Sequence, residues 1–110
     1  MSRGYQLTPQ AKADIIEIWQ YTLESWGKAQ AKKYLGQIEQ DIQRLLAGSI
    51  VGRPCNRLTA KSGSQLRYWR SGKHYIIHRL AVDESLQVLT LLHGASHERL
   101  EGFLESNSED

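Results

Sequence analysis

TPQAKADIIEIWQYTLESWGKAQAKKYLGQIEQDIQRLLAG, residues 8–48, decides the fold, because it holds two helical repeats with little more than Gly27 between them. Thr8-Pro9 reads as a helix start, with Thr8 as the N-cap and Pro9 at the first helical position, where its missing N–H costs nothing. At 100° per residue, Ala11, Ile15, Ile16, Ile18, Trp19, Thr22, Leu23 and Trp26 share one broad arc on which only Lys12 intrudes. Asp14, Glu17, Gln20, Tyr21 and Glu24 take the other side. Gly27 can adopt the left-handed conformation that ends a helix. From about Lys28 to Ala47 a second stripe follows: Ala31, Tyr34, Leu35, Ile38, Ile42, Leu45 and Leu46. Gly48 stops it. So short a connection predicts an antiparallel helix hairpin.

On either side of the hairpin the pattern differs. Tyr5-Gln6-Leu7 alternates and could add one strand. Gly48 to Gly63 reads as a long polar loop marked by Gly52-Arg53-Pro54. After Gly63 the period becomes 2, with Leu66, Tyr68 and Arg70 alternating with Gln65, Arg67 and Trp69. Ser71-Gly72-Lys73 supplies a hairpin turn. His74 to Leu80 reads as the next strand, Asp83-Glu84-Ser85 as a turn, and Leu86 to Leu92 as a strand covered on both faces. Ser96 to Leu104 has room for a short C-terminal helix carrying Leu100, Phe103 and Leu104. The expected fold is α+β: an N-terminal antiparallel helix hairpin packed on a small, mainly antiparallel sheet. Residues 1–105 read as one domain and 106–110 as a disordered tail.

Of 110 residues, 40% are hydrophobic and 24% charged, an ordinary globular composition. No apolar run approaches the roughly 20 residues that cross a bilayer, and no signal peptide is visible, so the chain is read as cytoplasmic with no membrane partner. Cys55, the one cysteine, reads as a reduced thiol. The net charge of +2 is uneven: residues 48–93 carry seven basic groups against Asp83 and Glu84, and residues 94–110 carry Arg99 against five acids. A basic middle can attract an acidic peptide or a phosphate backbone, and charge alone does not choose between them.

The words Leu7-Thr8-Pro9-Gln10-Ala11-Lys12-Ala13-Asp14-Ile15, Ile18-Trp19-Gln20-Tyr21-Thr22 and Trp26-Gly27-Lys28-Ala29-Gln30-Ala31 resemble the opening of ParE toxins, a branch of the RelE/ParE superfamily. Gly52-Arg53-Pro54, Gly72-Lys73-His74-Tyr75-Ile76-Ile77 and Leu91-Leu92-His93-Gly94 recur in that family in the same order. The resemblance spans roughly residues 5–100. It departs at His78, where the family often has an aromatic, and at Ala95, Ser96 and His97, where a basic residue, Met and Asp are common. It implies the toxin of a type II toxin–antitoxin system, of the kind that stabilises plasmids or chromosomes. Such a toxin is neutralised by a ParD-like antitoxin with a ribbon–helix–helix DNA-binding domain, and inhibits DNA gyrase. It would meet operator DNA only through the antitoxin and need no cofactor. The alternative on the same scaffold is a RelE-like, ribosome-dependent mRNA endoribonuclease.

Cleavage of RNA through its 2′-hydroxyl needs a base, an acid and cations around the phosphorus. Arg70 sits where RelE-like nucleases keep a basic residue, and His93 could serve as acid or base. The further cation and the C-terminal Tyr of those nucleases are not matched, so binding without catalysis is expected. The candidates for contact with antitoxin or target are Arg67, Trp69, Arg70, Arg79 and His93. Trp69 stands beside Arg67 and Arg70 on a strand, where it is either an exposed anchor or core. Trp19 and Trp26, on the helical stripe, read as core. No metal site is expected: His74 and His78 lie roughly 13 Å apart on a strand, too far to share an ion, and nothing completes a set with His93 and His97.

Overall fold

The computed structural model describes residues 4–59, 65–80 and 85–94. In chain order these form β1 (Tyr5–Leu7), α1 (Pro9–Trp26), α2 (Lys28–Ala47), β2 (Arg53–Thr59), β3 (Gln65–Ser71), β4 (His74–Leu80) and β5 (Leu86–His93). The five strands make one sheet in the order β1-β5-β4-β3-β2, antiparallel except for the parallel pair β1–β5. The expected α+β architecture is therefore present, with a mixed sheet. The expected C-terminal helix and tail lie outside the described residues.

The core lies where the helix stripes meet one face of the sheet. Ala11 and Ile18 of α1 and Ile38, Ile42 and Leu45 of α2 pack on Ile76, Leu86, Val88 and Leu91. Burying a side chain of this size is worth about 1.5–3 kcal/mol, so the cluster is the main apolar contribution to the fold.

The helices are attached to the sheet by polar bonds at one seam. β1 covers β5 only as far as Val88, and α1 takes over from there. The Thr8 N–H donates to the Val88 carbonyl (3.1 Å). The Thr8 hydroxyl donates to the Leu89 carbonyl (2.6 Å) while accepting the Ala11 N–H (3.1 Å), the predicted N-cap bond. Leu89 is the residue skipped where the β4–β5 register shifts between Ile77 and His78, so Thr8 supplies a bulged carbonyl with a partner. One turn on, Asp14 Oδ2 accepts both the Leu91 N–H (3.0 Å) and the Thr90 hydroxyl (2.6 Å). Side chains of α1 thus stand in for the strand that β1 is too short to provide.

Three expectations need correction. Residues 53–59 are not loop but the edge strand β2, paired with β3. Their sequence hides this, since Pro54 argues against a strand, yet proline is tolerated at an edge where one side of the ladder is open. Trp26 is not core: it is 68% exposed, while Trp19 is partly exposed. The reason is length. An 18-residue α1 runs about 27 Å, whereas β5 from Val88 to His93 runs only about 17 Å, so the last turn overhangs the sheet. Lastly, Gly27 has φ 93° but ψ 171°. It ends α1 with a positive φ that favours glycine, in an extended rather than left-handed helical conformation.

The seam yields a stability prediction. Asp14→Ala leaves a strand N–H and a hydroxyl unpaired, and should cost about 1–3 kcal/mol in urea denaturation with an unchanged m-value. A change below about 0.5 kcal/mol, the range of an indifferent surface site, would show that the seam is not a significant attachment.

Candidate functional site

The overhang of α1 creates a groove of about 610 Å³. Tyr21, Thr22 and Trp26 from the end of α1 line one side, and Gln30 and Tyr34 from the start of α2 another. Gly72 and Lys73 of the β3–β4 turn close it with His74 and His93. Tyr21 and Trp26 stand 65% and 68% exposed above it. Exposed aromatics around a concavity are the usual anchors of a protein interface.

Tyr34 fixes the floor. Its hydroxyl accepts the Lys73 N–H (2.9 Å) and lies 2.6 Å from His74 Nδ1. A single proton joins the hydroxyl and Nδ1, and the His74 tautomer decides which of the two donates it. Gly72 has φ 60°, and a Cβ there would lie 2.5 Å from Tyr34 Cε1, so the turn is fitted to the ring. The Tyr34 hydroxyl pKa is raised, chiefly by burial, with the Lys73 hydrogen bond and Arg70 pulling the other way. The Tyr34 hydroxyl therefore stays protonated at neutral pH.

Register pairing sets His74 directly opposite His93. Both rings stand on the helix-facing side, with centroids 4.9 Å apart and planes perpendicular. Burial first, then the neighbouring His93, lowers the His74 pKa from 6.5 to about 4, against a smaller opposing effect of Asp14. His78, buried and donating through Nδ1 to the Ile76 carbonyl (2.9 Å), is also lowered, again chiefly by burial.

The five residues proposed from sequence do not gather at one place. His93 lines the groove. Arg70 is exposed, donates through Nε to the Gly72 carbonyl (3.0 Å) and lies 5.8 Å from the Tyr75 ring centroid. It pairs with Tyr75, so strand alternation starts it on the sheet face opposite His93. There Arg53, Tyr68, Trp69, Arg70 and Tyr75 border a second depression of about 430 Å³. Trp69 also packs against the core cluster, so it is half-buried while it borders that depression. Arg67 donates to the Gly52 carbonyl (2.8 Å), and Arg79 to Gln87 (2.7 Å). Sequence reading missed Tyr21, Trp26, Tyr34 and His74. The available signals were Tyr21 on the polar side of α1, and Trp26 flanked by Glu24, Ser25, Gly27 and Lys28.

The histidine shifts imply a pH dependence. The unfolded chain takes up the His74 proton near pH 6.5 and the folded chain only near 4. Stability should therefore be full above about pH 6.5, fall as pH drops through that interval, and gain no further slope from His74 below it. His78 acts in the same direction, so His74→Gln should remove part of the slope in denaturation series across this range. An unchanged slope would contradict the assignment.

A family model described as "ParE toxin of type II toxin-antitoxin system, parDE" matches residues 5–97. Toxin ParE1 of Mycobacterium tuberculosis is 33% identical over 93 residues, covering 84% of this chain and 91% of its own length. Toxin ParE of Escherichia coli is 35% identical over 90 residues, covering 82% and 84%. A solved structure, described as the chromosomal ParDE TA system from P. aeruginosa, shares the fold with a TM-score of 0.64 at 20% identity, over 83% of this chain and 95% of that one. With this fold and these relatives, the chain belongs to the ParE toxin family of type II toxin–antitoxin systems.

Proposed function

We propose that the chain is a toxin that acts by binding: it inhibits DNA gyrase, and a ParD-like antitoxin carrying a ribbon–helix–helix domain silences it by occupying the groove. The observation that carries this reading is the groove itself, with two exposed aromatics over a floor fixed by Tyr34. A partner segment that folds on docking would lay apolar side chains against Tyr21 and Trp26. Operator DNA is reached through the antitoxin. No described helix is long and apolar enough to cross a membrane.

Binding without catalysis is supported by the placement of Arg70 and His93. A RelE-like cleavage would need both at one phosphate, and they leave the sheet on opposite faces. The relatives' printed names, ParE toxins from two organisms, support the same reading.

Two outcomes are expected. Trp26→Ala, at an exposed position, should leave the circular dichroism spectrum and Tm nearly unchanged while weakening antitoxin affinity by about 2 kcal/mol or more, roughly 30-fold. Unchanged affinity would remove the groove from the antitoxin interface. Purified toxin should trap gyrase–DNA cleavage complexes on supercoiled DNA and leave a defined message intact on translating ribosomes. Removal of a true acid or base would lower cleavage by roughly 10²–10⁴-fold. Codon-positioned cuts lost in a folded His93→Ala variant would therefore overturn the binding reading in favour of a ribonuclease.

A further inference from the structure

The histidines of β4 and β5 form a unit that spacing along the chain conceals. His74 and His78 are far apart on one strand, but His74 and His93 are direct cross-strand partners on the same face. Side chains so opposed have Cβ atoms about 4.5–5.5 Å apart, within reach of a common ligand. We propose that His74 and His93 form a two-histidine site for a divalent transition-metal ion such as Zn²⁺, Ni²⁺ or Cu²⁺ in the groove wall.

The spacing of the rings is the principal argument. Two imidazoles bound to one ion at about 2.0–2.1 Å in tetrahedral geometry place their ring centroids about 5 Å apart. The observed separation is 4.9 Å, and the perpendicular planes are compatible with two adjacent coordination positions. Both residues line the groove, which supplies a solvent path and room for water ligands. Among the described residues no set of three His, Cys, Asp or Glu converges on one point. The site is therefore a two-ligand chelate whose remaining positions are taken by water, and it differs from a closed structural zinc site.

Two features around the pair suit this role. Tyr34 holds His74 through Nδ1 and leaves Nε2 for the ion. With an ion on Nε2, Nδ1 carries the imidazole proton and donates it to the Tyr34 oxygen, which also accepts the Lys73 N–H, as its two lone pairs allow. Such an outer partner orients a ligating imidazole and raises its basicity. Neutral nitrogen donors also select borderline transition metals over Mg²⁺ and Ca²⁺, which require oxygen.

The test uses the folded full chain and metal alone. Titration with Zn²⁺, followed by calorimetry and by imidazole NMR signals, should show saturable one-to-one binding with the His74 and His93 resonances shifting together. Cu²⁺ should bind more tightly than Ni²⁺ or Zn²⁺, and Mg²⁺ should cause no shift. His74→Gln and His93→Gln should each abolish binding, and Tyr34→Phe should weaken it by about tenfold or more. Absence of saturable binding would overturn the proposal, as would binding that survives both histidine variants. If a variant fails to fold, the wild-type spectra still decide, because shifts confined to His78 or His97 would place the metal elsewhere.

Discussion

The hydrogen-bonding edge of β5 is the constraint on which the rest of the structure depends. β1 is three residues long and cannot cover an eight-residue strand. Beyond Val88, Thr8 and Asp14 supply the missing partners from the first turns of α1. Buried backbone groups left without partners are costly, so this substitution fixes where α1 starts and which way it runs. Its last turn then overhangs the end of the sheet, and α2, turned back by Gly27, brings Tyr34 over the β3–β4 turn. The groove is a consequence of a strand too short for its neighbour.

The helices were legible because their signals are local. The N-cap at Thr8, the proline after it and the two apolar stripes all act within a few residues. What the stripes cannot convey is how much of a face the rest of the molecule covers. Ile16 and Trp26 share an arc with Ile18, yet they are exposed and Ile18 is buried. β2 was illegible for a different reason. An edge strand needs only one satisfied side, so it tolerates Pro54 and shows little alternation. The juxtaposition of His74 and His93 depends on a register that shifts at Leu89, which no spacing rule reveals. The family words carried the fold further than periodicity did, and Gly52 and Gly72 show why two of them recur. A Cβ at Gly52 would lie 2.6 Å from His78 Nε2, and one at Gly72 would meet the Tyr34 ring.

The basic middle of the sequence suggested a cationic docking surface, and the structure disperses it. Arg67 and Arg79 are tied to Gly52 and Gln87, Arg70 folds back on its own turn, and Arg53 and Arg70 border the sheet face away from the groove. The concavity itself is aromatic and imidazole-lined, with Lys73 as its cation. A docking partner would therefore gain most from apolar contact and hydrogen bonds, and its rate of association would vary only moderately with salt. Charge in a sequence measures how many cations a fold must place, not where it places them.

The groove under the α1 overhang is the surface proposed to hold the antitoxin. Amide hydrogen exchange of the toxin, alone and bound to its antitoxin, measures that directly. New protection should concentrate on the last turn of α1, the first turns of α2, and the amides of Lys73, His74 and His93. Protection confined to the β2 edge and to the Tyr68–Tyr75 face, with the groove exchanging as in the free toxin, would contradict it.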